Sequence, residues 1–376
     1  MTSPPEPSSP VPLVLHVIPT AVARGAQREA RALADRLDAP GIRHHRLMSL
    51  FAGPAQVPVD ECLGYPNTRP AGAGFDLRLV PRLRRVLTRL CPSVVVAHGG
   101  DPLKYLVPAL IGRRIPLVYY ATGTFARADR WTRVMAWRLL VRRPAVVAAE
   151  GEEVLDECRL LLHVPARRLV LAPNGRDPDE FRPAVAADGP EAPAIAFVGA
   201  LTDGKRPGRF IEVTAALRRR GLVLRALLCG DGPLRPALEG PASRAGVELL
   251  GARDDVAALL READVFLFPS LPTGEGMPGV LIEAGLTGLP AVATDVPGVR
   301  TIVGDGLNGF VVDPGDLPAM VDATARLLES PDLRRRMGAA ARQRCSSSFS
   351  VDAVADCWAS FLVPLVTGPD HQRGGR

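Results

Sequence analysis

Short apolar runs rich in β-branched residues alternate with amphipathic stretches along almost the whole chain, and this alternation limits the fold more than any other feature. The pattern predicts strands at Leu13–Ile18, Ile42–Leu50, Val94–His98, Leu117–Thr122, Ala145–Ala149 and Leu169–Ala172. Between them it predicts helices at Ala26–Leu37, Asp76–Leu90, Leu103–Ile111, Trp131–Val141 and Glu152–Leu162. Strands separated by helices cannot pair as hairpins, so they assemble into parallel sheets with helices on both faces. At 181–193 the text FRPAVAADGPEAP loses all apolar period and reads as a linker. A second series follows, with strands at Ala194–Val198, Val223–Cys229, Val247–Leu250, Val265–Phe268, Ala291–Thr294 and Phe310–Val312. Its helices are expected near 208–220, 254–262, 279–287, 317–328 and 332–345, and a last amphipathic helix starts at 351.

The expected architecture is α/β: two doubly wound, Rossmann-like domains facing each other across a cleft. An N-terminal domain (11–183) and a C-terminal domain (194–350) are joined by a linker (184–193). A helix over 351–366 is expected to cross back to the first domain, and the polar, Pro/Gly-rich ends 1–10 and 367–376 are expected to be disordered. The length of 376 residues fits two domains at roughly 100–200 residues each.

Composition removes several function classes. No apolar run approaches the ~18 residues of a membrane span, and the start MTSPPEPSSPVP lacks the apolar core of a secretory signal. Six cysteines lie far apart with no C-x-x-C, which fits neither a zinc site nor a disulfide framework and points to a reducing, cytoplasmic compartment. Aromatics are only 5%, too few for stacking platforms on single-stranded nucleic acid, and no nucleic-acid module is visible. Charge is uneven. Residues 1–180 carry 25 Lys+Arg against 17 Asp+Glu, and the remainder 21 against 23. A basic first half suits an anionic membrane surface or an acidic substrate, and equally a solvated Arg-rich face.

The segment with most chemistry is VFLFPSLPTGEGMPGVLIEAGLTGLP. A buried strand ends at Pro269, a loop with Gly274, Gly276 and Gly279 follows, and a helix opens near Pro278, where its missing N–H is not needed. The free amides and partial positive charge of such a helix start favour phosphate. Glu275 lies in the loop and Glu283 on an otherwise apolar helix, where an unpaired buried carboxylate costs several kcal/mol. Glu283 therefore needs donors: sugar hydroxyls, a neighbouring loop or an arginine. The chain has only two lysines, Lys104 and Lys205, so a lysine here can mark a place that wants a compact charge.

With these residues in view, the segment resembles the signature of the retaining glycosyltransferases of family 4 (group 1), which have the GT-B fold. The same order of motifs continues elsewhere: Val198-Gly199-Ala200-Leu201 with Lys205, Cys229-Gly230-Asp231-Gly232-Pro233, Leu250-Gly251, Ala263-Asp264-Val265, Pro173-Asn174-Gly175, and Arg24-Gly25-Ala26-Gln27. The resemblance implies transfer from a nucleoside-diphosphate sugar to an acceptor hydroxyl with retention, by a front-face route without metal or other cofactor. It implies that Glu283 binds the nucleotide ribose, Glu275 the sugar hydroxyls, and the backbone of Gly276, Met277, Pro278 and Gly279 the sugar and diphosphate. It further implies Lys205 as the phosphate cation, Gly199, Gly251 and Gly25 as glycines of the donor-binding loops, and His98, at a strand end, beside the sugar and acceptor.

One departure stands out: where the family commonly has Arg after the glycine at 199, this chain has Ala200, with Arg206 and Arg209 as nearby substitutes. That leaves a non-catalytic, sugar-nucleotide-binding regulator as the alternative. A dinucleotide oxidoreductase is excluded, because Arg235 occupies the place of the third glycine after Gly230-x-Gly232. Asp177-Pro178-Asp179 spells D-x-D but is expected to be a turn. His44-His45, between Arg43 and Arg46, is expected to be exposed. The expected partners are a nucleotide sugar and an acceptor that is either a lipid-linked glycan or a small molecule, with peripheral contact at the inner membrane face through the basic N-terminal domain.

Overall fold

The computed structural model describes residues 11–22, 25–38, 44–53, 56–65, 75–123, 131–184, 192–272 and 276–367. Its residues divide into two compact units. Unit 1 takes the chain up to Glu150, Val154–Ala172 and the stretch from Ala355 onward; unit 2 takes Gly151–Glu153 and Pro173–Val354.

Unit 1 is built from β1 (Leu13–Ile18), α1 (Gly25–Leu37), β2 (His44–Phe51), β3 (Glu61–Tyr65), α2 (Leu79–Leu90), β4 (Val94–His98), α3 (Gly100–Ala109), β5 (Leu117–Ala121), α4 (Trp131–Leu140), β6 (Val146–Ala149), α5 (Glu152–Asp156, its first two residues grouped with unit 2) and β7 (Leu169–Leu171). Its seven strands lie in the order β3-β2-β1-β4-β5-β6-β7, with every neighbouring pair parallel. Central strands β4 and β5 are buried at every residue, as strands covered on both faces must be. β3 was not expected, because its sequence ECLGY carries Glu and Gly and lacks an apolar run. The expected helix Glu152–Leu162 is α helical only to Asp156 and then widens into a π-turn, Glu157–Leu161.

Much of the basic excess of unit 1 is structural. Arg84 Nη1 donates to the carbonyls of Ala109 and Ile111, where α3 ends. Arg143 Nη2 reaches the carbonyls of Arg113 and Ile115, and Arg168 Nη1 reaches those of Val141, Arg142 and Pro144, just past α4. Apart from Ala109, the last residue of α3, these carbonyls lie in the connections that follow α3 and α4, where no helix or sheet ladder supplies a donor, and arginine satisfies them.

Unit 2 contains β8 (Ala194–Val198), α6 (Pro207–Arg219), β9 (Arg225–Cys229), α7 (Arg235–Ala245), β10 (Glu248–Gly251), α8 (Val256–Arg261), β11 (Val265–Phe268), α9 (Gly279–Leu286), β12 (Ala291–Thr294), α10 (Val299–Ile302), β13 (Gly309–Val312), α11 (Leu317–Glu329) and α12 (Pro331–Phe349). The sheet order is β10-β9-β8-β11-β12-β13, again all parallel. α7 escaped the sequence reading because Pro236 and Pro241 interrupt its apolar pattern. The last helix, α13 (Val351–Thr367), contributes its first turn to unit 2 and its remainder to unit 1, where Trp358 is fully buried. The stretch 1–10, most of the linker (185–191) and 368–376 lie outside the described residues.

Candidate active site

In both sheets the winding direction reverses once: between β1 and β4 in unit 1, and between β8 and β11 in unit 2. Loops leaving the carboxyl ends of two such neighbours diverge, and the crevice they leave is where open α/β sheets hold ligands. In unit 2 these are the loops after β8 and after β11, which carry Gly199, Lys205 and the segment Gly276–Gly279. Leu271 N donates to Gly204 O at 2.7 Å, so the two loops are joined. Lys205 Nζ stands 5.3 Å above the Phe268 ring, at the very end of β11. Thus Lys205 and the loop that follows β11, distant in sequence, share the carboxyl end of the sheet.

The neighbouring loops fit as closely. Gly199 N donates to Cys229 O at 3.0 Å, Leu201 N to Asp231 O at 2.9 Å, and Gly230 N to Gly251 O at 2.8 Å. A Cβ on Gly230 would lie 1.8 Å from Gly199 O, and one on Gly232 2.6 Å from Leu201 O. Only glycine permits this approach, which is the physical reason for the G-D-G turn. Gly251 has φ +72°, the left-handed region that glycine tolerates best.

Beyond β11, Met277 is buried and its carbonyl accepts from Asn174 Nδ2 at 3.1 Å. Pro278 is the N-cap of α9, one position before the first turn predicted for it, and no side chain caps the helix. Leu281 N is taken by Pro278 O at 3.0 Å, and no side chain caps the first-turn amides before it, where an anion is favoured. Glu283 pairs with Arg176, in the connection after β7, whose Nε lies 2.7 Å from Glu283 Oε1; both side chains are less than a fifth exposed. Arg176 was missed from the sequence. It follows Asn174-Gly175 107 residues before its partner, and nothing local marks it. Glu275 lies outside the described residues.

Ala200 is exposed, and the two arginines weighed as its substitutes are engaged: Arg206 Nη1 with Pro314 O at 2.5 Å and Arg209 with Glu212 at 3.3 Å. Asp177-Pro178-Asp179 is a turn, closed by Asp179 N on Asp177 Oδ1 at 2.8 Å and by Phe181 N on Asp177 O. Among the described residues no group of three His, Cys, Asp or Glu side chains is arranged to hold a metal.

In unit 1, Gly25 is the first residue of α1 and His98 the last of β4. His98 is 5% exposed, and its Nε2 is 2.9 Å from His16 Nδ1. His16 Nε2 in turn is 3.0 Å from His45 Nδ1. Here one expectation is corrected. The pleat of β2 leaves His44 exposed, as expected, but turns His45 inward, so His44-His45 is not an exposed pair. Trp358 stacks on His98, centroids 6.0 Å apart, and Tyr120 packs edge-on to both rings. Burial pulls His98 down to about 3, and holds His16 well below the ordinary imidazole value with help from the neighbouring rings. The imidazoles of His16 and His98 are therefore neutral at physiological pH.

Two doubly wound domains, each with a switch-point crevice beyond the carboxyl ends of its strands, are the architecture of ligand-binding α/β proteins, and comparison with known proteins narrows this class. The family described as Glycosyl transferases group 1 matches residues 192–330, and Glycosyltransferase Family 4 matches 23–180. The α-D-kanosaminyltransferase of Streptomyces kanamyceticus is 29% identical over 78% of this chain and 83% of its own length. A GDP-mannose-dependent α-(1-6)-phosphatidylinositol monomannoside mannosyltransferase of Mycobacterium tuberculosis is 30% identical over 75% of this chain and 78% of its own. In fold the chain is similar to a glycosyltransferase from Rickettsia africae ESF-5 (TM-score 0.80, 14% identity, 96% of this chain and 100% of that one). It is also similar to Anabaena HepE in complex with UDP (TM-score 0.77, 18% identity, 94% and 100%). The chain belongs to glycosyltransferase family 4, group 1, with the GT-B fold, and it is a glycosyltransferase that takes its sugar from a nucleoside-diphosphate donor.

Proposed function

We propose that this enzyme transfers a sugar with retention of anomeric configuration, by a front-face route that needs no metal. The bond from the anomeric carbon to the diphosphate oxygen breaks, the acceptor oxygen bonds to that carbon on the same face, and the acceptor proton passes to the departing phosphate. Such a step asks for positioned cations and dipoles more than for a strong base. Lys205 and the backbone N–H groups of Gly276, Met277 and Gly279 take the diphosphate, Glu283 the ribose and Glu275 the sugar hydroxyls. Gly199 and Gly251 let backbone approach the nucleotide. The single observation that carries this reading is the joining of the loops after β8 and β11, which sets Lys205 beside the end of β11. His98 is assigned a hydrogen bond to a sugar hydroxyl as a neutral imidazole, and Gly25 a close backbone approach to phosphate.

For the acceptor, both relatives named above are informative: one is a kanosaminyltransferase, the other acts on a phosphatidylinositol mannoside. The surface of unit 1 favours an acceptor at an anionic membrane face. Trp131, Met135 and Leu139 recur every four residues on α4 and are 77%, 49% and 66% exposed, while Val134, Trp137 and Leu140 pack on the core. Residues 131–143 carry four arginines and no acidic residue. An exposed apolar stripe beside arginines suits the headgroup boundary. No helix among the described residues is long and apolar enough to cross a membrane.

The test is a panel of UDP-, GDP- and dTDP-sugars with chelator present, with nucleotide release measured and the product anomer assigned by NMR. One donor should be consumed with its configuration kept. An inverted product overturns retention, activity lost to the chelator overturns metal independence, and binding without release supports the regulatory alternative raised by Ala200.

A further inference from the structure

The geometry around Arg176 points to a residue that tunes donor recognition. Its backbone is pinned on both sides: Arg176 N donates to Phe349 O and Val351 N to Arg176 O, each at 2.9 Å. The preceding Gly175 lies so close to α13 that a Cβ there would be 3.2 Å from Val351 Cα. From this fixed base Nη1 returns to Gly175 O at 2.8 Å and Nε reaches Glu283 Oε1 at 2.7 Å.

The tip of the guanidinium also reaches the start of α9. A Cβ on Gly279 would sit 2.0 Å from Arg176 Nη2 and 2.8 Å from Cζ, so any other residue at 279 would push the guanidinium aside. Gly279 and Glu283 are four apart and share one helix face. One arginine thus covers the glycine and holds the carboxylate one turn further on. A cation beside a helix N-terminus opposes the dipole. That placement persists because Glu283 offsets it through a charge-assisted bond in a half-desolvated site. Only Oε1 of Glu283 is engaged among the described residues.

We propose that Arg176 is a positioning residue: it fixes the Glu283 carboxylate so that its other oxygen meets the ribose hydroxyls, and Gly279 is the vacancy that allows this. The inference rests on Glu283 binding ribose. In the free enzyme a carboxylate held in one rotamer binds a diol without first being ordered, so the gain appears in affinity for the ribose and not in turnover.

The experiment measures calorimetric binding of UDP and GDP, and of their 2′-deoxy counterparts, to the full chain. The wild type should prefer the ribonucleotide it binds best over the deoxy form by about tenfold, the worth of a hydrogen bond to a charged group. Arg176→Ala should reduce that preference to about twofold, and raise the donor KM with kcat little changed. Arg176→Lys, the conservative variant, should restore part of it. Gly279→Ala should lower the preference for the ribonucleotide in binding as Arg176→Ala does, and in the double variant that preference should fall no further than in either single one, which a general loss of folding would not produce. If Glu283→Gln removes the preference while Arg176→Ala and Arg176→Lys keep it, this inference is overturned and the ribose reading stands. If Glu283→Gln keeps it, or neither nucleotide binds the wild type, the ribose reading itself fails.

Discussion

His16 and His98 are buried imidazoles linked by a 2.9 Å hydrogen bond, and their neutrality has a cost that depends on pH. Both have folded values below the ordinary imidazole value. Below about pH 6.5 the unfolded chain takes up protons that the folded chain refuses, so stability is fully present above that pH and falls as pH falls. The expected slope is about 1.4 kcal/mol per pH unit for each of the two histidines. Urea unfolding at pH 7 and pH 5 should show it, and His16→Gln should flatten it; equal midpoints at both pH values would contradict the assignment. Lys205 acts on the chemistry instead. Lys205→Ala should lower kcat by about a hundredfold, the scale of losing one group that stabilises transition-state charge. Unchanged kinetics would sink its phosphate role. Lys205, Gly276–Gly279 and Glu283 were legible because their signals are local: a rare residue type, a glycine-rich turn, a carboxylate on an apolar helix. Arg176 and the His16–His98 pairing were not, because each depends on a partner 107 or 82 residues away.

Among the elements, α4 combines two opposite apolar stripes, one facing the core and one exposed. Its pattern in sequence predicts a helix but cannot say that Trp131, Met135 and Leu139 stay uncovered. If they dock on an anionic bilayer, the protein should co-sediment with phosphatidylcholine vesicles containing phosphatidylglycerol and not with phosphatidylcholine alone. Salt should weaken the binding. Replacing all three by serine should reduce it by about tenfold or more, without touching transfer to a soluble acceptor. Equal binding of that variant would rule α4 out. The arginines that bond the connections after α3 and α4 show a related limit of sequence reading. Arg84, Arg143 and Arg168 look like free surface charge until the carbonyls beyond α3 and α4 that they bond are placed.

On the scale of the whole molecule, the chain leaves unit 1, builds unit 2 and returns, so the C-terminal segment completes the core of unit 1. Trp358 is fully buried there against His16, His98 and Tyr120. Trp358→Ala should cost about 3–5 kcal/mol, and ending the chain after Val354 should abolish the cooperative unfolding of unit 1. An unaltered melting curve would show that the segment is dispensable. Strand and helix periods, the glycine-rich turns and the order of motifs are properties of neighbouring residues, and they were enough to specify two doubly wound domains and a sugar-nucleotide chemistry. Which carboxylate meets which guanidinium, which of two adjacent histidines turns inward, and which apolar stripe remains bare follow from the packing of distant segments. Burial and charge pairing act through space, and no run of consecutive residues records them.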